Sequence, residues 1–179
     1  MTSVLRPLEG KVPTIGKHVF LAETCVVVAD VVIGDESSIW YGTVVRGDVM
    51  PIRIGNRTNI QDGSIVHVTK DQHGTAIGND VTIGHGAIIH ACTIEDRCLI
   101  GMGATILDGA RIGHGSLVGA GALVTPGTVI PPGSLVLGAP ARVKRPVNDK
   151  EREQITQGAK GYVELARRYL AGRHESSLP

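Results

Sequence analysis

Aliphatic residues recur along this chain at a step of six. Marking each one that is followed by a small or polar residue gives Ile15, Leu21, Val27, Ile33, Ile39 and Val45, then Ile54, Ile60 and Val66, then Ile77, Ile83 and Ile89, and finally Ile94, Ile100, Ile106, Ile112, Val118, Val124, Ile130 and Val136. Small residues stand four places after many of these markers, among them Cys25, Ser37, Thr43, Thr58, Ser64, Ala87, Thr93, Ala104, Ala110, Ser116, Ala122 and Thr128. Two inward positions per unit, one branched and one small, are what a tightly wound β-solenoid requires, and an unrelated run of strands would not hold one frame over about 20 units. The frame breaks in three places: residues are added between Val45 and Ile54 and between Val66 and Ile77, and one is missing between Ile89 and Ile94. Added residues must bulge out at corners, so 68–76 is expected to be a loop beside His67, and loops on rigid scaffolds often carry function. After LGAPARVKRP the period changes. Asn148 and Glu151 have capping-box spacing, and Ile155, Ala159, Tyr162, Val163, Ala166 and Leu170 follow helical spacing, which predicts a helix over 149–171. Gly158 and Gly161 weaken it by roughly 1 kcal/mol each.

The six-residue frame resembles that of the hexapeptide-repeat proteins, in which three units make one triangular coil. The resemblance implies an all-β fold, a left-handed parallel β-helix shaped as a triangular prism, here followed by a C-terminal α-helix. Residues 1–143 are expected to form the prism and 144–179 the helix and tail. With strands about 4.7–4.9 Å apart, seven coils make a prism roughly 30 Å tall, and a helix of that span is roughly 35 Å long at 1.5 Å per residue. It is expected to lie along the prism, covering a face or a neighbour.

Counting units rather than residues assigns every outward side chain to a face. Units beginning at Val45, Val66, Ile89 and Ile106 fall on one face, C, where Arg46, His67 and His90 occupy the same column in successive coils. Ile39, Ile60, Ile83 and Ile100 mark face B, where Asp62 and His85 stack two places after their markers with Gln61 beside them. His67 and His90 can share a tetrahedral metal, whose nitrogen ligands lie about 3.4 Å apart. His85, around a corner, cannot join them within one subunit. Face A carries Lys17, His18, Asp35, Glu36, Asn56, Arg57, Asn79, Asp80, Asp96 and Arg97 and reads as solvated, whereas Trp40, Tyr41, Met102, Leu107 and Cys92 leave B and C sparsely charged. Face B of one subunit meeting face C of the next closes a ring of three, bringing His85 of one chain toward His67 and His90 of its neighbour. His18, His73, His114 and His174 read as surface residues, and Cys25 and Cys98 as core.

Composition narrows the class further. Of 179 residues 24 are Gly and only 3% are aromatic, so the core must be built from Val, Ile, Leu and Ala. A net charge of +1 gives no basis for a nucleic-acid or anionic-membrane partner. No stretch is long enough to span a bilayer, and the start, MTSVLRPLEG, lacks the pattern of a secretory signal. Three cysteines without CxxC spacing suit reduced thiols in a cytoplasmic protein.

The strings VVRGD (44–48), NIQDGSIVH (59–67) and IGHGAIIH (83–90), followed by LGAPARVKRP, resemble the γ-class carbonic anhydrases, a trimeric branch of the hexapeptide-repeat proteins. This resemblance implies reversible hydration of CO2 to bicarbonate by a homotrimer, with Zn2+ (or Fe2+ or Co2+) held by His67, His85 and His90, one ligand coming from the adjacent subunit. It further implies Arg46 and Asp48 as an intersubunit ion pair, with Gln61, Asn59 and Asp62 as hydrogen-bonding groups around the metal-bound water. Tyr162 of the C-terminal helix is a further candidate near the metal. Val49 and Lys70 stand where active relatives carry glutamates, one of them the proton shuttle, so slow turnover is expected unless His73 or buffer takes the proton. Two other readings keep the fold: an acyltransferase or thioesterase acting on a coenzyme A thioester, with a histidine as general base, and a trimer that holds metal without catalysis.

Overall fold

The computed structural model describes residues 4–172. Short parallel strands, most of them two or three residues long, wind around a common axis in a left-handed parallel β-helix. Their brevity follows from the repeat, because a chain that turns every six residues leaves only a marker and one or two neighbours extended. Face B is a seven-rung column of Leu21, Ile39, Ile60, Ile83, Ile100, Val118 and Val136, each paired with the next. Face C stacks Val27, Val45, Val66, Ile89, Ile106 and Val124. Face A stacks Ile15, Ile33, Ile54, Ile77, Ile94, Ile112 and Ile130. The markers from Val27 to Val136 are all buried and form one continuous core.

Each break in the frame has a structural outcome. The residues added after Val45 lengthen one strand to Val44–Ile54, with a register irregularity opposite Ala29 to Val31. Those added after Val66 form a loop closed by an antiparallel bridge between Thr69 and His73. Where one residue is missing, Ala91 turns the corner at positive φ (48°) and Cys92, 2% exposed, fills the small inward position. Counting forward from Ile89 had put Thr93 inside and Cys92 on the surface; both are corrected, because the inward small residue is set two places before the following marker. Cys25 and Cys98 are core, as expected.

The polar residues of face A also prove to be more than a solvated surface. At the corner leading to face B, Asp35 Oδ1 accepts from the Lys17 backbone N–H, Asn56 Oδ1 from that of Asp35, Asn79 Oδ1 from that of Asn56 and Asp96 Oδ1 from that of Asn79. This carboxamide and carboxylate ladder satisfies backbone donors that a sharp corner would otherwise expose.

After Ser134–Gly138 the chain doubles back through an antiparallel strand, Ala141–Pro146, into the helix α1, Asp149–Gly172. Its start is the reciprocal cap expected from sequence: Glu151 accepts from the Asn148 backbone N–H at 2.8 Å, and Asn148 Oδ1 accepts from that of Glu151 at 2.9 Å. Buried Ile155, Ala159 and Ala166 turn toward the prism, and α1 packs against the upper strands of face B. An added Cβ on Gly158 would sit 3.4 Å from Thr82 Oγ1, so the glycine that weakens the isolated helix lies where helix and sheet approach closely. All five aromatic side chains of the protein, Phe20, Trp40, Tyr41, Tyr162 and Tyr169, gather under or beside α1, with neighbouring centroids 4.9–6.5 Å apart. Trp40 is therefore not an intersubunit surface residue: it is 4% exposed and donates to Ser38 Oγ. No helix among the described residues is long and apolar enough to cross a membrane.

Candidate metal centre

Parallel pairing at one register places His90 directly beside His67. Their facing nitrogens, His67 Nδ1 and His90 Nε2, are 3.1 Å apart. On face B, one coil after Asp62, His85 stands at the corner nearest face C, and its Nδ1 lies 2.8 Å from Asp62 Oδ2. Each imidazole thus has its own carboxylate: His67 Nε2 is 3.1 Å from Asp48 Oδ1, and His90 Nδ1 is 2.7 Å from Asp108 Oδ1. An ionised carboxylate only accepts, so these contacts fix which ring nitrogen carries the proton.

The consequence lies between the two paired rings. With His67 donating through Nε2 and His90 through Nδ1, both facing nitrogens present lone pairs, which repel at 3.1 Å unless a cation or proton relieves them. Neutral imidazoles oriented by carboxylates are the donor set that zinc and neighbouring divalent metals take. Burial, partly opposed by Asp48, holds the His67 imidazole below its ordinary titration range, which favours the neutral ring a metal needs. Among the described residues no three His, Cys, Asp or Glu side chains of one chain converge on a single point. The residues fit a metal, but one chain holds only part of its shell.

The other candidates surround this corner. Arg46 bonds to Asp48 Oδ2. Desolvation, which raises the Asp48 carboxyl, is outweighed by hydrogen bonds from Arg46 and His67, so it titrates below the usual carboxylate range. Gln61 and Asn59 are buried on face B; Gln61 Nε2 donates to Asn59 Oδ1 at 3.1 Å, and Asn59 Nδ2 donates to Thr82 Oγ1 at 2.9 Å. Asp62 accepts from the Tyr41 backbone N–H as well as from His85. Burial, with a smaller contribution from the Asp62 charge, pushes the Tyr162 phenol up, so this ring lies within electrostatic reach of Asp62. Its edge packs on Trp40 at 5.4 Å. Val49 and Lys70 leave no carboxylate at those positions, and His73 is exposed where the loop closes on Thr69. His174 lies outside the described residues. A groove of about 390 Å³ between α1 and the prism, lined by Arg97, His114, Val147, Arg152 and Ile155, contains none of the candidate histidines.

Sequence reading missed Asp108. It sits two places after a face C marker, one coil beyond His90, and a search for acidic residues at the corner next to the histidine column would have found it. A hydrogen bond from Thr69, with a second from His90, holds its carboxyl below the ordinary range against desolvation.

Comparison with known proteins completes the picture. The family model described as bacterial transferase hexapeptide (six repeats) matches residues 13–47 and 91–126. A protein of Geobacillus kaustophilus named carbonic anhydrase is 45% identical over 168 residues, covering 94% of this chain and 92% of that one. This chain belongs to the γ-class carbonic anhydrase-like family of hexapeptide-repeat proteins. Gamma carbonic anhydrase 1 of Arabidopsis thaliana, a mitochondrial member, is 48% identical over 166 residues, which cover 90% of this chain and 60% of the plant protein. The family also contains proteins named for transfer chemistry: the structure of a hexapeptide transferase family protein from Anaplasma phagocytophilum is 41% identical, covers 94% of this chain and 99% of its own, and superposes with a TM-score of 0.90.

Proposed function

We propose that this protein is a homotrimeric, metal-dependent carbonic anhydrase of the cytoplasm, with zinc, or iron or cobalt in its place, bound by His67 and His90 of one subunit and His85 of the next. The observation that carries the reading is the pair of facing imidazole nitrogens 3.1 Å apart, each ring backed by its own aspartate, with no third side chain among the described residues to complete the set. Exposure supports the shared site. His85 is 44% exposed and His67 only 18%, as suits a ring that reaches outward and a ring that waits in a recess. Ile65, Ile88 and Met102 add exposed apolar surface around the same corner for a neighbour to cover. The Arg46–Asp48 pair lies at this edge and is shared across it in the assembly. Three buried cysteines that form no disulfide suit a reducing compartment.

A divalent metal at this position supplies Lewis acidity, which lowers the pKa of coordinated water to about 7. The chain does the rest. Asp48, Asp62 and Asp108 hold the three rings in the tautomer that directs a lone pair outward. Gln61, anchored through Asn59 and Thr82, offers an amide beside the site, and Asp62 a carboxylate that accepts a hydrogen bond from the nucleophile. Tyr162 limits the approach from the α1 side. Val49 and Lys70 provide no proton acceptor, so turnover is slow and rises with buffer concentration, with His73 as the nearest substitute.

Isotope exchange between CO2 and water, measured on zinc- or iron-loaded protein, tests the reading: the wild type exceeds the His90→Ala variant, and equal rates would sink it. Anomalous scattering at the zinc and iron edges identifies the metal. The transferase names among its relatives keep one competitor in view, an acyltransferase using a coenzyme A thioester; that enzyme would purify without metal and turn over acyl-CoA.

A further inference from the structure

A continuous line of contacts runs through the histidine corner. Arg46 bonds to Asp48 and Asp48 to His67, the facing nitrogens of His67 and His90 come next, and His90 bonds to Asp108 and Asp108 to Thr69. The last link, from Asp108 to Thr69, has no counterpart among the roles assigned above. Asp108 uses Oδ1 for the His90 ring and Oδ2 for the Thr69 hydroxyl, so one carboxylate joins a candidate ligand to the loop inserted after His67. At the base of that loop Thr75 Oγ1 donates to the His67 carbonyl, the Thr69 N–H to the His73 carbonyl at 3.2 Å, and the Gln72 N–H to the Thr69 carbonyl at 3.3 Å. Just past Asp108, Gly109 lies beside the closing residue of the loop, an added Cβ there falling 3.6 Å from His73 Nε2.

We infer that Asp108 is a positioning residue with two tasks: it fixes His90 as the Nδ1–H tautomer with Nε2 aimed at His67, and through Thr69 it clamps the loop over the same corner. The physical reason is the two-sidedness of the carboxylate. In the neutral ring one nitrogen donates and the other is left as an acceptor, so the Asp108 contact decides which nitrogen is offered for ligation. Thr69 restrains the second oxygen, so the carboxylate cannot rotate away from the ring without releasing the loop. Partners of this kind affect metal affinity by about 10- to 100-fold when removed. The inference rests on the metal reading for its function but not for its geometry.

The test therefore has one arm that needs no metal. In metal-free 15N-labelled protein, long-range proton–nitrogen correlation of the His90 ring shows the Nδ1–H tautomer in the wild type and a mixture in Asp108→Asn. Trypsin cleaves after Lys70 faster in both Asp108→Asn and Thr69→Val than in the wild type. In the second arm, Asp108→Asn retains cobalt about 10- to 100-fold less tightly against a competing chelator, with an altered cobalt absorption spectrum, while its circular dichroism and oligomer mass match the wild type. A His90 ring that is Nε2–H in the wild type, or a Lys70 site cleaved equally in all three proteins, would overturn the inference. Unchanged cobalt retention in Asp108→Asn would do the same. If the wild type binds no cobalt, the metal reading fails by itself, and the tautomer and the cleavage rate still decide the role of Asp108.

Discussion

Along the edge between faces A and B, α1 lays Tyr162 and Tyr169 onto Phe20 and Trp40, and the neighbouring corner is braced by Asp35, Asn56, Asn79 and Asp96. Across face B, at the edge toward face C, stand three imidazoles and three carboxylates, half-exposed, with two ring nitrogens facing each other. The first edge is closed within the chain: Phe20 and Trp40 are buried, and the side-chain ladder satisfies backbone donors at the corner. At the second, each ring has a carboxylate partner, but among the described residues a single chain brings only two rings to one point. The contrast shows where the fold spends its few aromatic residues, which is on closing one edge by itself, while the other edge is where the proposed function puts a metal and a second copy.

If the two edges are independent, changes at one should leave the other alone. His85→Ala is the largest expected effect. It removes the only candidate ring on face B, so metal retention against a chelator falls by more than the roughly 100-fold upper range for an outer partner, while the circular dichroism spectrum is unchanged. Loss of folded structure in this variant would show that the histidine edge also holds up the prism. Trp40→Ala comes next. Truncating the buried ring, 4% exposed, lowers the unfolding free energy by about 3–5 kcal/mol, read by urea denaturation followed by circular dichroism. Metal bound per folded chain should not change; a parallel loss would mean that the helix, through Tyr162 and Asp62, reaches across face B.

The smallest effect is at the helix start. Arg145, together with the Asn148 N–H, pulls the Glu151 carboxyl from 4.5 down to about 2. A carboxyl lowered in the folded state stabilises it above the unfolded value and loses that contribution as pH falls through the folded one. Thermal melts should therefore show the wild type losing its advantage over Glu151→Gln between about pH 4.5 and pH 2. Metal retention compared at neutral pH should be the same in both proteins.

The order of faces, the pairing of His67 with His90, the stacking of Asp62 with His85 and the helix cap were all legible from the six-residue period and from Asn148 and Glu151. These features are local in the unwound coordinate of the chain: a marker must turn inward, its neighbours outward, and three units return to the same face. What escaped sequence reading depends on distances that the period does not encode. Cys92 went inside because a corner was one residue short. Trp40 left the expected interface because α1, more than 100 residues further along, folds back onto it. Asp108 met Thr69 only because the loop after His67 leans across the next coils, so two residues 39 positions apart share a hydrogen bond. By itself, then, the sequence determined the wrapping and the face of each histidine, since burial of one branched side chain per turn leaves no other frame. Only the tertiary structure decided which carboxylate holds which ring and which edge the helix closes, because hydrogen bonds and ring packing are selected by proximity in space, which corners, insertions and the returning helix set together.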